Sequence, residues 1–175
     1  MVNKYWDNLA DYFNNAAFNG MAVADTSGSM CGSGSAAPIN VAISLGLYCA
    51  EKAKGPFANH FITFSSNPTF VKVEGVDFCD KVVRMGEADW GGSTNVEAAF
   101  DLMLNTAIQN NCSQDDIPEN LIIISDMEFD SCATSGPVSA DRWGYYSNRT
   151  PNATLFEQIE AKWAAHGFKM PKLVF

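Results

Sequence analysis

The residues of this 175-residue chain best placed to do chemistry together begin at Asp25. Asp25-Thr26-Ser27-Gly28-Ser29 sets out a carboxylate and, at alternate positions after it, two hydroxyls, an all-oxygen donor set that can converge on one point. Hard cations favour such a set. Mg²⁺ takes about six oxygens in a near-octahedral array, keeps several waters and needs only one or two carboxylates, so hydroxyls can fill the remaining protein positions. Thr94 in GGST and Asp126 after LIIIS offer further oxygens from two other loops, and Gly91 and Gly92 allow the first of these a close approach. Asp89, Glu128 and Asp130 are first of all solvated loop acids, and their sharper role is to tune the ligands through supporting contacts.

Each of these residues also has a plainer role. Alone, DTSGSMCGSGS reads as a flexible linker, Ser27 and Ser29 as turn caps, and Thr94, or Asn95 in its place, as the N-cap of the helix that follows. Covalent catalysis is poorly provided for. There is no Walker-type lysine motif and no GxSxG, Ser27 stands where an aspartate-nucleophile phosphatase keeps its second aspartate, and no motif brings His60 or His166 to a nucleophile. Cys31 lies in the candidate loop, while the five cysteines show no CxxC spacing and read as reduced, mostly buried thiols. Trp143, Tyr145 and Tyr146, with Arg142 and Arg149, form either a local aromatic cluster or a recognition surface within the long irregular stretch 127–151.

The elements that must position these residues alternate. Residues 2–18, with Tyr5, Trp6, Tyr12 and Phe13, are compatible with a short helix lying on the domain, and GMAVA reads as a buried strand delivering Asp25 at its carboxyl end. Pro38 starts a helix running to about Lys54, with Ala42, Gly46, Leu47 and Ala50 among its inward positions. HFITF and TFVKV form a tight antiparallel pair around Asn67-Pro68, followed by a short helix over 77–85. A helix over 96–110 leads to the β-branched strand LIIIS, and a helix from Leu155 stopped by Gly167 leads to a last buried strand, KLVF. This order predicts a doubly wound, mostly parallel, Rossmann-like α/β sheet with one antiparallel edge strand. Ligands of such sheets bind beyond the carboxyl ends of the strands, where Asp25 and Asp126 fall.

Composition limits what such a site can serve. With 47% hydrophobic and 18% charged residues the chain has material for one substantial core. Its net charge of −9 opposes a phosphate backbone, so direct nucleic-acid binding is not expected. No apolar run has the roughly 18 residues of a membrane span and no basic-then-apolar leader opens the chain, so the expectation is a cytoplasmic protein.

DTSGSM after a short apolar strand resembles the DxSxS signature of von Willebrand factor A-type domains, and the resemblance extends in order to GGST and LIIISD. It implies a metal-ion-dependent adhesion site in which Asp25, Ser27, Ser29, Thr94 and Asp126 hold Mg²⁺, with Mn²⁺ or Ca²⁺ as alternatives. An acidic residue of a protein partner would complete the coordination. FITFSSNPTF, DWGGSTN and SDMEFD are in addition similar to the C-terminal module of an intracellular family that joins a helical region to an A-like domain and resembles the RNA-associated TROVE/Ro proteins. Residues 1–18 would then be an extension and 19–175 the A-like domain. Met127 stands where many A-domains carry glycine, and the chain stops after KLVF where the family adds a strand and a helix, which predicts a sheet open to pairing at that edge. The function expected is a metal-dependent protein-interaction module. The alternatives are a Mg²⁺-dependent phosphoryl-transfer or hydrolytic enzyme using Asp25, and an accessory module of a Ro-like protein.

Overall fold

The computed structural model describes residues 1–13, 18–32, 37–64, 67–85, 95–126 and 155–175. Five strands, β1 (Gly20–Asp25), β2 (His60–Phe64), β3 (Phe70–Lys72), β4 (Asn120–Ile124) and β5 (Lys172–Val174), form a sheet in the order β3-β2-β1-β4-β5. All neighbours are parallel except β2 and β3, so the antiparallel strand lies on an edge as the short Asn67-Pro68 connection requires. Among the described residues the helices are α1 (Val2–Asp7), α2 (Pro38–Lys52), α3 (Phe78–Met85), α4 (Val96–Gln109) and α5 (Leu155–Ala165). This is the doubly wound, Rossmann-like α/β arrangement.

Two cores follow from the period-two alternation of the central strands. Met21, Val23, Leu121 and Ile123 face α4 and α5, where Phe100, Met103, Leu104, Ile159 and Trp163 close the layer. Ala22 and Ala24 face α2, whose Ala42, Leu47, Cys49 and Ala50 pack over them. Strand β1 is buried at all six positions, which is why it reads as a continuous small-and-apolar run rather than an alternating one. Strand β5, expected to be buried, instead has Lys172 and Val174 exposed and Leu173 half-buried, because it is the last strand in the sheet order.

The ends of the helices follow from local chemistry. Pro38 occupies the first turn of α2. The Asn95 side chain accepts the Ala98 amide at 3.0 Å and so caps α4. Past α5 the chain turns through Gly167 at φ 81°, where the Gly167 and Phe168 amides return to Ala164 and Trp163 carbonyls, a left-handed conformation glycine adopts without strain. The N-terminal segment is pinned by aromatics. Trp6 stacks on Phe78 with ring centroids 4.3 Å apart and donates its indole N–H to Glu51 at 3.0 Å, while the Tyr48 hydroxyl receives the Tyr12 amide at 2.8 Å. Among the described residues no helix is long and apolar enough to cross a membrane.

Candidate functional site at the strand ends

The chain leaves β1 and turns away to α2, whereas β4 is reached from α4 on the opposite face, so the strand order reverses between β1 and β4. Asp25 closes β1 at this point. Its carboxylate has no exposed surface, and it accepts the Ser27 amide through Oδ1 at 2.9 Å and the Ser125 hydroxyl through Oδ2. Thr26 and Ser27 are buried beside it, with the Thr26 hydroxyl 3.5 Å from the Phe64 carbonyl at the end of β2.

The glycine- and serine-rich sequence leads one to expect an irregular loop here. Instead Gly28–Met30 form one 3₁₀ turn, closed by the Met30 amide on the Ser27 carbonyl at 3.1 Å. The cause is Met30, only 3% exposed, whose side chain joins the core under α2 and pulls the loop down onto the sheet. The turn brings the Ser27 and Ser29 hydroxyl oxygens to 3.0 Å from one another, with Ser27 buried and Ser29 exposed. Asp126 follows β4 directly and is exposed. Asp25, Ser27, Ser29 and Asp126 therefore all lie at the carboxyl ends of β1 and β4. Thr94, Asp89, Glu128, Asp130, Trp143, Tyr145 and Tyr146 lie outside the described residues.

Ser125 and Thr26 are the site residues that sequence reasoning passed over. A signal for Ser125 was present, since a hydroxyl at the end of a strand that pairs with β1 stands level with Asp25. It is usable only once the register is known. Among the described residues no three His, Cys, Asp or Glu side chains converge as a metal cluster, so a cation here would depend on hydroxyl oxygens. The two serine oxygens suit that demand. The 3.0 Å between the Ser27 and Ser29 hydroxyls is a hydrogen bond between them, and neighbouring ligands of an octahedral ion with bonds of about 2.1 Å stand about as far apart.

Elsewhere the reactive groups are held otherwise. His60 lines a cavity of about 420 Å³ together with Cys112 and Asp116, yet its Nδ1 lies 2.8 Å from the Ala58 carbonyl and Asp116 accepts from Ser113. Burial pushes the Cys49 thiol up to about 11, so it is no nucleophile at neutral pH. Contrary to the expectation of mostly buried cysteines, Cys31 and Cys79 are exposed, Cys112 is half-buried, and these three and Cys49 are free thiols.

Residues 19–175 match the model of the family described as a domain of unknown function (DUF7788). The chain is also 34% identical over 176 residues to the uncharacterized protein L728 of Acanthamoeba polyphaga mimivirus, an alignment that takes in 99% of this chain and 27% of that relative. It thus spans about a quarter of the length of the curated relative it matches. No solved structure matches it. With nearly its whole length from Asn19 onward fitted to that family, the chain belongs to the DUF7788 family.

Proposed function

We propose that this domain is a metal-dependent protein-docking module. In this reading Asp25, Ser27, Ser29, Thr94 and Asp126 hold a divalent cation, Mg²⁺ before Mn²⁺ or Ca²⁺, directly or through water. A partner's Asp or Glu then completes the coordination. One observation carries the reading: two serine hydroxyls brought together, 3.0 Å apart and hydrogen-bonded, in the loop that a fully buried carboxylate begins, at the point where the strand order reverses. The resemblance of DTSGSM, GGST and LIIISD to the A-type adhesion site supports it from an independent side.

Each residue has a derivable task. Asp25, held through both oxygens by neutral donors, keeps a fixed orientation and supplies buried negative charge. Ser27 and Ser29 add neutral oxygens, so they leave the charge of a cation largely uncompensated. Exposed Ser29 and Asp126 mark the solvent side, from which a partner carboxylate arrives. When bound, the cation supplies the positive charge that such a carboxylate neutralises.

The same geometry weighs against an aspartyl nucleophile, because Asp25 is fully buried with both oxygens accepting hydrogen bonds. The net charge of −9 likewise weighs against direct RNA contact. The cytoplasmic setting expected from the sequence belongs to this proposal as well.

A peptide array presenting Asp- and Glu-containing sequences beside their Asn and Gln counterparts tests the docking step. Wild-type protein in Mg²⁺ should bind acidic spots selectively and lose them in chelator and in Asp25→Ala. Equal binding to acids and amides, or binding indifferent to chelator, would contradict it.

A further inference from the structure

We infer that Ser125 is the positioning residue that fixes the Asp25 carboxylate for the cation, an inference that rests on the metal reading of the strand-end site. Strands β1 and β4 pair in parallel as far as Ala24 opposite Ile124, so one residue further Asp25 and Ser125 stand level. Alternation along the strands turns both toward the side of Val23 and Ile123, the core that α4 and α5 cover. There the Ser125 hydroxyl donates to Oδ2 while the Ser27 amide holds Oδ1.

The two donors are unlike in origin. Ser27 belongs to the loop that Asp25 itself begins, whereas Ser125 reaches Asp25 from a strand 100 residues away. Held by the Ser27 amide alone, the carboxylate plane could still rotate; with a second donor on the other oxygen it is set. Because Asp25 has no exposed surface, bulk water does not readily replace a lost hydroxyl. The site is therefore assembled by the β1–β4 pairing itself, and position 125 needs a hydroxyl rather than a particular side chain. Ser125→Thr keeps that hydroxyl and Ser125→Ala removes it.

Two measurements on the whole chain test this. In Mg²⁺ titration calorimetry Ser125→Ala should bind about tenfold more weakly, the lower end of what losing a supporting contact to a ligand costs, while Ser125→Thr stays near wild type. In metal-free protein, NMR hydrogen exchange at the Ser27 amide should accelerate in Ser125→Ala and remain slow in Ser125→Thr, with the Leu121 and Ile123 amides of β4 unchanged in both. Wild-type affinity in Ser125→Ala, weaker binding without faster Ser27 exchange, or equal losses in Ala and Thr would overturn the role of Ser125. A wild-type chain that binds no Mg²⁺ overturns the site reading instead, and Ser27 exchange then decides alone whether Ser125 holds Asp25.

Discussion

Two carboxylates in this domain accept the same kinds of donor, a backbone amide and a serine hydroxyl, at opposite ends of the sheet. Asp116, ahead of β4, receives the Ser113 amide at 2.8 Å and the Ser113 hydroxyl at 2.7 Å as the capping box of a 3₁₀ turn over Gln114–Asp116. Asp25, at the end of β1, receives the Ser27 amide and the Ser125 hydroxyl. Asp116 is half-buried and bonded to an exposed serine three residues away; Asp25 is buried and bonded partly across 100 residues. The donors are alike, so location separates the two. Water can stand in for the partners of Asp116, which makes it a local cap. It cannot readily do so at Asp25, where a constraint imposed by the whole sheet leaves an oriented charge beside two more oxygens.

The largest effect expected is on metal affinity at the buried end. Asp25→Ala should weaken Mg²⁺ binding by on the order of 100-fold or more, at or beyond the upper end of the ~10–100-fold typical of a supporting contact. A calorimetric titration reads this directly, and Asp116→Ala should leave the titration unchanged. Next, Ser27→Ala should lose about tenfold in the same titration, as expected for removing one neutral oxygen from a site that retains its carboxylates. An effect of Ser27→Ala on urea stability alone would make Ser27 a cap like Ser113 and dissolve the contrast.

A smaller effect belongs to the exposed end. Ser113→Ala should lower the urea midpoint modestly and leave metal affinity intact, because it removes the hydroxyl that donates to Asp116 and nothing at the other pole. The smallest concerns pH. The Ser113 hydroxyl, and then its amide, hold the Asp116 carboxyl below its ordinary value. A lowered folded value means a contribution fully present above the unfolded carboxyl value of about 3.9 and lost as pH falls through the folded one. Urea melts of wild type and Asp116→Asn should therefore converge as the pH is lowered. Glu74, held by Lys72, and Asp80, held by the Val76 amide and Arg84, act in the same sense and add to the acid sensitivity of the wild type.

The same contrast explains what was legible in the sequence. GMAVAD, the Pro38 helix, the capped helix ahead of LIIIS and the Gly167 stop all carry their signals within a few residues, and each element lies where those signals put it. The Asp25, Ser27 and Ser29 spacing was equally local. The turn over Gly28–Met30 was not legible, because Met30 is drawn down by a core built from α2 and β1 rather than by its neighbours. Nor was Ser125, whose meaning depends on the register between two strands 100 residues apart. Asp25 and Asp126 look like equivalent strand-end acids in sequence, yet the register sets Ser125 level with Asp25 and leaves Asp126 one step out, in solvent. The Ser113–Asp116 capping box, by contrast, is written in the sequence as S-x-x-D and needs no tertiary information.

Mg²⁺ titration calorimetry of wild type beside Asp25→Ala and Asp116→Ala tests the central claim most directly. Wild type and Asp116→Ala should each bind one Mg²⁺ per chain with the same affinity, and Asp25→Ala should bind on the order of 100-fold more weakly or beyond. Undiminished binding in Asp25→Ala, or no binding in wild type, would contradict it.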